Sequence, residues 1–154
     1  MQDFVHLHVH TQYSLLDGQA SVARLVDKAM KNGMKGIAVT DHGNMFGIKE
    51  FTNYVNKKNS GPKGEVKDLK KRIAGIEAGT IECEDKEAEI ADCKAKIVEA
   101  ENKLFKPIIG CEMYVARRTM DLREGKLDQS GYHLIVLAKN EKGYHNLIKL
   151  VSHA

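Results

Sequence analysis

The first ten residues place a histidine at every second position: His6, His8 and His10. If this segment is a strand, alternate side chains point to opposite faces. Phe4, His6, His8 and His10 then share one face, and Val5, Leu7 and Val9 the other. The aliphatic face suits packing against helices. The imidazole face needs polar surroundings, because every ring nitrogen requires a partner. A metal ion meets that need, neutral imidazole being the commonest side-chain ligand. Strand rise sets His8 and His10 roughly 6–7 Å apart at the backbone, so their rings can converge on one ion or on two neighbouring ions. A pair of hydrogen-bonded structural histidines, or the remnant of a tag, would give the same local pattern.

Further ligand-type residues recur where extended stretches end. Asp17 follows the histidine segment, Thr40-Asp41-His42-Gly43 ends a second apolar run, Glu112 lies within a third, and His133 opens a fourth. The carboxyl ends of parallel strands build the active site in α/β folds. Each residue also has a plainer reading. His42 could bond only the backbone beside Gly43. Asp41 either binds an ion or orients His42 from behind, and the second is favoured. Asp17-Gly18 could be a turn. Glu112 could be a paired core carboxylate, since a charge in so apolar a strand needs a partner. His133 is the weakest from spacing alone, and His6 is either a supporting neighbour or a third ligand. His145 and His153 fall in the last helix and read as surface residues. Imidazoles with carboxylates suit Zn, Mn or Fe. A set this rich suggests two or three divalent ions, which lower the pKa of a bound water and clamp a phosphoryl oxygen. The chemistry favoured is hydrolysis of a phosphate ester.

The elements that must position these groups alternate. Phe4–His10 is the first expected strand. Ser21 is a suitable N-cap for a helix with Val22, Leu25, Val26, Ala29 and Met30 on its apolar face, stopped by Asn32-Gly33. Residues 36–40 read as a buried strand and residues 45–56 as a second helix. Residues 106–116 and 132–138 are the third and fourth strands. Asn140 caps a last helix with Tyr144, Leu147, Ile148 and Val151 inward. Strands alternating with helices imply an α/β fold with a mostly parallel sheet or barrel.

Composition shifts between these parts. Residues 57–106 hold 12 Lys/Arg, 11 Asp/Glu and one aromatic residue, Phe105. Cys83, Ile90, Ile97 and Leu104 recur every seven residues, with Cys93 and Ala100 between them, and Gly79-Thr80 supplies a turn. Residues 57–104 therefore read as an inserted antiparallel helical hairpin whose charges are solvated faces; Lys70-Lys71-Arg72 as a nucleic-acid contact is the minor alternative. Gly75-Ile76-Glu77 imitates the Gly110-Cys111-Glu112 stretch, but Glu77 lies within the heptads, and Glu112 is chosen. The whole chain has 154 residues, enough for one domain with a core, and a net charge of +3 that neither requires nor excludes nucleic acid. Its three cysteines form no C-x-x-C pair, which fits a reducing cytoplasmic setting, and no run of 18 apolar residues suggests a membrane span.

The strings HLHVHTQYSLLDG, AVTDHGNMFG, KPIIGCEMYVA and YHLIVLAKNEKGYHNLIKLVS resemble the polymerase and histidinol phosphatase (PHP) domain. More narrowly, they resemble the branch of that family at the N-terminus of the alpha subunit of bacterial DNA polymerase III. The resemblance covers nearly everything outside residues 58–104, where the family's helix runs on almost directly into KPIIG. It implies a distorted (β/α)7 barrel holding up to three metals, with His8, His10, Asp17, His42, Glu112 and His133 at ligand positions. The family pattern continues to a later Cys and a late D-x-H, so the chain is expected to cover the front part of the domain.

Three functions follow as expectations. The first is a metal-dependent 3′–5′ exonuclease acting on DNA within a polymerase, with polymerisation and other replicase subunits lying elsewhere. The second is a metal-stabilised docking domain of that polymerase. The third is a free-standing phosphatase of the histidinol-phosphate type, which the polymerase-like strings disfavour.

Overall fold

The computed structural model describes residues 4–154. Along the chain lie α1 (Val22–Lys31), β1 (Gly36–Val39), α2 (Ile48–Lys58), α3 (Ser60–Glu77), α4 (Lys86–Asn102), β2 (Lys106–Val115), α5 (Gly125–Asp128), β3 (Tyr132–Leu137) and α6 (Glu141–His153). Two compact units divide them: Met1–Tyr54 with Lys106–Ala154, and Val55–Phe105. Among the described residues no helix is long and apolar enough to cross a membrane.

In the first unit the sheet runs β1-β2-β3. β1 and β2 are parallel, from Gly36 opposite Lys106 to Val39 opposite Ile109. All four residues of β1 are buried. α1 shields them with Val22, Val26 and Ala29, at most 3% exposed. Its ends are fixed as the sequence suggests: the Ser21 side chain accepts from the Arg24 N–H, and Asn32 closes the last turn. Gly33 then takes φ 76°, a conformation that costs glycine little. Where β2 passes from β1 to β3, Gly110 is required, because a Cβ there would stand 2.7 Å from Val136 O and 2.8 Å from Thr40 Cγ2. Cys111, Met113 and Leu147 form a second small core with Met45, Val136 and Val151. α6 supplies Leu147 and Val151, and the Asn140 side chain caps it by accepting from the Gly143 N–H.

Two expectations are corrected here. Residues 4–10 are extended but do not form a regular strand. Ala38 N–H donates to His6 O and Thr40 N–H to Val9 O, both at 2.9 Å. Two residues of one segment therefore match three of the other, as in a bulge, and the strict alternation of side chains is lost. Leu7, expected to pack inward, is 50% exposed. The sheet is also mixed rather than parallel, since β3 runs antiparallel to β2, from Gly110 opposite Leu137 to Val115 opposite Tyr132. The link of residues 116–131 carries only the four-residue α5 and lacks the longer helix that usually crosses between parallel strands.

In the second unit α3 and α4 pack on one another. Ile76, Cys93 and Ala100 are at most 1% exposed, while Cys83, Ile90, Ile97 and Leu104 are only half-buried. Arg72 pairs with Glu89 across the helices at 2.7 Å. The Asp85 side chain caps α4 through the Ala88 N–H. At the base, Asn59 Nδ2 donates to Phe105 O at 2.8 Å, and Phe105 N–H donates to Asn59 Oδ1 at 2.9 Å. One buried side-chain amide thus clasps both ends of the segment.

Candidate metal centre

The backbone of Asp41–Gly43 continues the parallel pairing beyond β1. Glu112 N–H donates to Asp41 O at 3.1 Å, and Gly43 N–H to Glu112 O at 2.9 Å. His42 is thereby bridged to Glu112. On the other side of β2, the antiparallel register sets His133 opposite Tyr114, two residues beyond Glu112. Alternation along a strand puts Glu112 and Tyr114 on one face. The reversal of β3 explains how a residue that opens a strand reaches a rim otherwise made by strand ends.

Glu112 is the centre of what results. It is 4% exposed. Its Oε1 lies 2.9 Å from His133 Nδ1 and 3.7 Å from His8 Nε2. Its Oε2 lies 2.7 Å from His10 Nε2 and 3.4 Å from His42 Nδ1. Despite this proximity Oε2 is buried without a hydrogen bond: the close ring nitrogens do not approach it in hydrogen-bonding geometry. His8 Nε2 and His10 Nε2 are 3.2 Å apart. Asp17 completes the ring, with Oδ1 3.1 Å from His10 Nδ1 and Oδ2 3.1 Å from His42 Nδ1. The hydrogen bond from His42 holds the Asp17 carboxyl below the ordinary carboxylate range.

Three overlapping sets of side chains could each hold an ion: His8, His10 and Glu112; His10, Asp17 and His42; and His42, Glu112 and His133. Within each set the ligand atoms lie within 4.8 Å of one another. The chemistry fits a divalent cation. A buried carboxylate oxygen without a hydrogen bond is costly, and crowded imidazole nitrogens are best satisfied by a shared positive centre.

Asp41 stands apart from this ring. It is 1% exposed. Its Oδ1 accepts from Thr11 N–H at 2.6 Å and from Ser14 Oγ at 2.7 Å, and its Oδ2 accepts from Thr11 Oγ1 at 2.8 Å. Ser14 Oγ in turn accepts from His42 N–H at 3.0 Å. Asp41 therefore secures the turn between His10 and Asp17, and it reaches His42 through Ser14 and the backbone. His6 is outside the ring and lies edge-on to Phe4 at 4.7 Å. His145 is exposed and 3.9 Å from Glu141; His153 is exposed.

Sequence reasoning missed Thr11, Ser14 and Tyr114. Tyr114 was within reach: as residue i+2 of Glu112 it had to share that face. Thr11 and Ser14 gave no signal before the fold was known, since turns are ordinarily rich in hydroxyl residues. Beside the ring lies a cavity of about 520 Å³, lined in part by Tyr13, Leu15, Leu16, Asp17, His42 and Phe46.

Comparisons with known proteins bear on the family to which the chain belongs. The PHP domain family model matches residues 6–97 and 88–154. DNA polymerase III subunit alpha of Borreliella burgdorferi is 39% identical over 150 residues, covering 97% of this chain and 9% of that protein. The Treponema pallidum subunit is 40% identical over 152 residues, covering 98% and 9%. That of Aquifex aeolicus is 33% identical over 155 residues, covering 97% and 10%. The chain thus spans about a tenth of the length of these relatives. With the matched segments running through nearly all of it, the chain belongs to the PHP domain family.

Proposed function

We propose that the ring around Glu112 binds two or three divalent ions and hydrolyses phosphodiesters, as a 3′–5′ exonuclease working beside the polymerase of a longer alpha subunit. The observation that carries this reading is the buried Glu112 carboxylate with Oε2 lacking a hydrogen bond, set among His8, His10, His42 and His133. His8, His10, Asp17, His42, Glu112 and His133 are the ligands in this proposal; Zn, Mn and Fe all suit them. Bound divalent ions would supply Lewis acidity, lowering the pKa of water and stabilising charge on the phosphoryl group. The chain's own residues do the rest. Glu112 sets negative charge at the centre, Asp17 ties His10 to His42, and Asp41 fixes the turn that carries them through Thr11 and Ser14. The sheet is proposed to be part of the family's barrel, and residues 57–104 an insertion into it.

The test is release of nucleotides from a mismatched 3′ end by the alpha subunit carrying this sequence, loaded with Mn or Zn. His8→Ala should abolish release while polymerisation continues. Release unchanged by that substitution would remove the exonuclease reading.

A second reading, a metal-stabilised docking domain, is favoured by Leu15 and Leu16. They are 89% and 102% exposed, although their turn is tied down by Gly18 N–H donating to Ser14 O at 2.7 Å. Strong destabilisation by a chelator, with no nuclease activity in the loaded subunit, would select this reading instead.

A further inference from the structure

We infer that Tyr114 is a positioning residue whose phenol oxygen fixes the His42 ring so that Nδ1 is the nitrogen offered to an ion. The inference rests on the metal reading above. Tyr114 Oη contacts His42 Nε2. The opposite ring nitrogen, Nδ1, faces Asp17 Oδ2 at 3.1 Å and Glu112 Oε2 at 3.4 Å. The two nitrogens of His42 therefore look at different chemistry: carboxylates on one side, a phenol on the other.

A neutral imidazole has one N–H and one lone pair. An ion held by His10, Asp17 and His42 takes the lone pair of His42 Nδ1. The proton must then sit on Nε2, and a metal-bound histidine ordinarily donates that second N–H to an oxygen acceptor. Tyr114 Oη is the oxygen in place to accept it. Lacking that acceptor, the ring gains nothing from this orientation and can turn over to present Nε2 instead.

Backbone geometry holds the phenol where it is needed. Tyr114 lies opposite His133 in the β2–β3 ladder, and its ring stands 4.9 Å from the His133 ring, edge-on, and 4.8 Å from the His42 ring. Gly43 clears the approach. At φ +67° a side chain would strain the backbone, and a Cβ there would already be in van der Waals contact with Tyr114 Cε2 at 3.5 Å.

The experiment compares the alpha subunit carrying this sequence with its Tyr114→Phe variant, which keeps both ring contacts and removes only the oxygen. Zinc affinity is read by calorimetry. The His42 tautomer and the exchange of its N–H are read by long-range ¹H–¹⁵N NMR on the zinc-loaded proteins. The expected result is an unchanged melting temperature without metal, zinc affinity weaker by about tenfold or more, and a His42 Nε2–H that resists exchange in the parent but not in the variant. Equal affinities with an unchanged His42 signal would overturn the inference. So would a zinc-loaded parent with its His42 proton on Nδ1. A parent that takes up no zinc would sink the underlying metal reading, and it would do so without reference to the variant.

Discussion

Two buried carboxylates lie one strand apart and are treated in opposite ways. Asp41 is surrounded by donors: a backbone N–H and two hydroxyls occupy its oxygens at 2.6–2.8 Å. Glu112 is surrounded by imidazoles, and its Oε2 is left without a hydrogen bond. A carboxylate already supplied with donors is part of the framework. A carboxylate ringed by groups that can offer lone pairs calls for a cation between them. What faces each acid thus separates one satisfied within the framework from one that the proposed metal site would use.

The largest effect expected is at Asp41. Asp41→Ala leaves Thr11 N–H and two hydroxyls without an acceptor, and should cost about 3 kcal/mol. The loss should appear in urea unfolding without metal as well as with it. A loss seen only with metal present would break the distinction between the two acids.

Glu112→Gln should do the reverse. Removing a buried charge that lacks a hydrogen bond should leave the metal-free protein as stable as its parent, or more so. The stabilisation added by zinc, about 2.7 kcal/mol at roughly a hundredfold excess over Kd, should disappear. Calorimetric melts with and without zinc check both halves.

A neutral group sharpens the scale. Asn59 is 5% exposed and satisfied at both ends by Phe105, so Asn59→Ala should cost about 1.5 kcal/mol in chemical denaturation, between the responses of the two acids' frameworks and a surface change. The clasp also predicts that exchanging residues 60–104 for a short glycine link preserves zinc binding, checked by calorimetry on the shortened chain.

The smallest effect is an absence of reaction. Cys111, fully buried, donates to Asp41 O at 3.4 Å, and burial pushes its thiol up to about 11. Iodoacetamide at pH 8 should leave Cys111 unmodified in the folded protein and label it only on unfolding, read by peptide mass spectrometry. Labelling of folded protein would show that the strand between the two acids opens locally.

The α/β class, the buried run at residues 36–39, both strands that follow, and the caps at Ser21 and Asn140 were legible because local periodicity and capping chemistry set them. The histidine segment was misread as a regular strand. A one-residue bulge depends on its partner, β1, and leaves no mark in the pattern of Phe4 to His10. The direction of β3 was hidden for a similar reason: residues 132–137 alternate identically whichever way they pair. The side chains that the ring brings together could be nominated by type near the ends of extended stretches, His133 least firmly, and the resemblance to the family joined them into one set. Their supports could not. Thr11 and Ser14 matter only because Asp41 arrives from 27 to 30 residues away.

The antiparallel return of β3 has a consequence for how this domain tolerates change. Tyr114 and His133 are held by ladder pairing, from Gly110–Leu137 to Val115–Tyr132, and the ends of the connection between them are tied by Arg117 to Ser130 and by Arg118 to Asp128. Residues 119–127 can therefore serve as a splice point, where a tag, a protease site or new chain termini would leave the ring around Glu112 assembled.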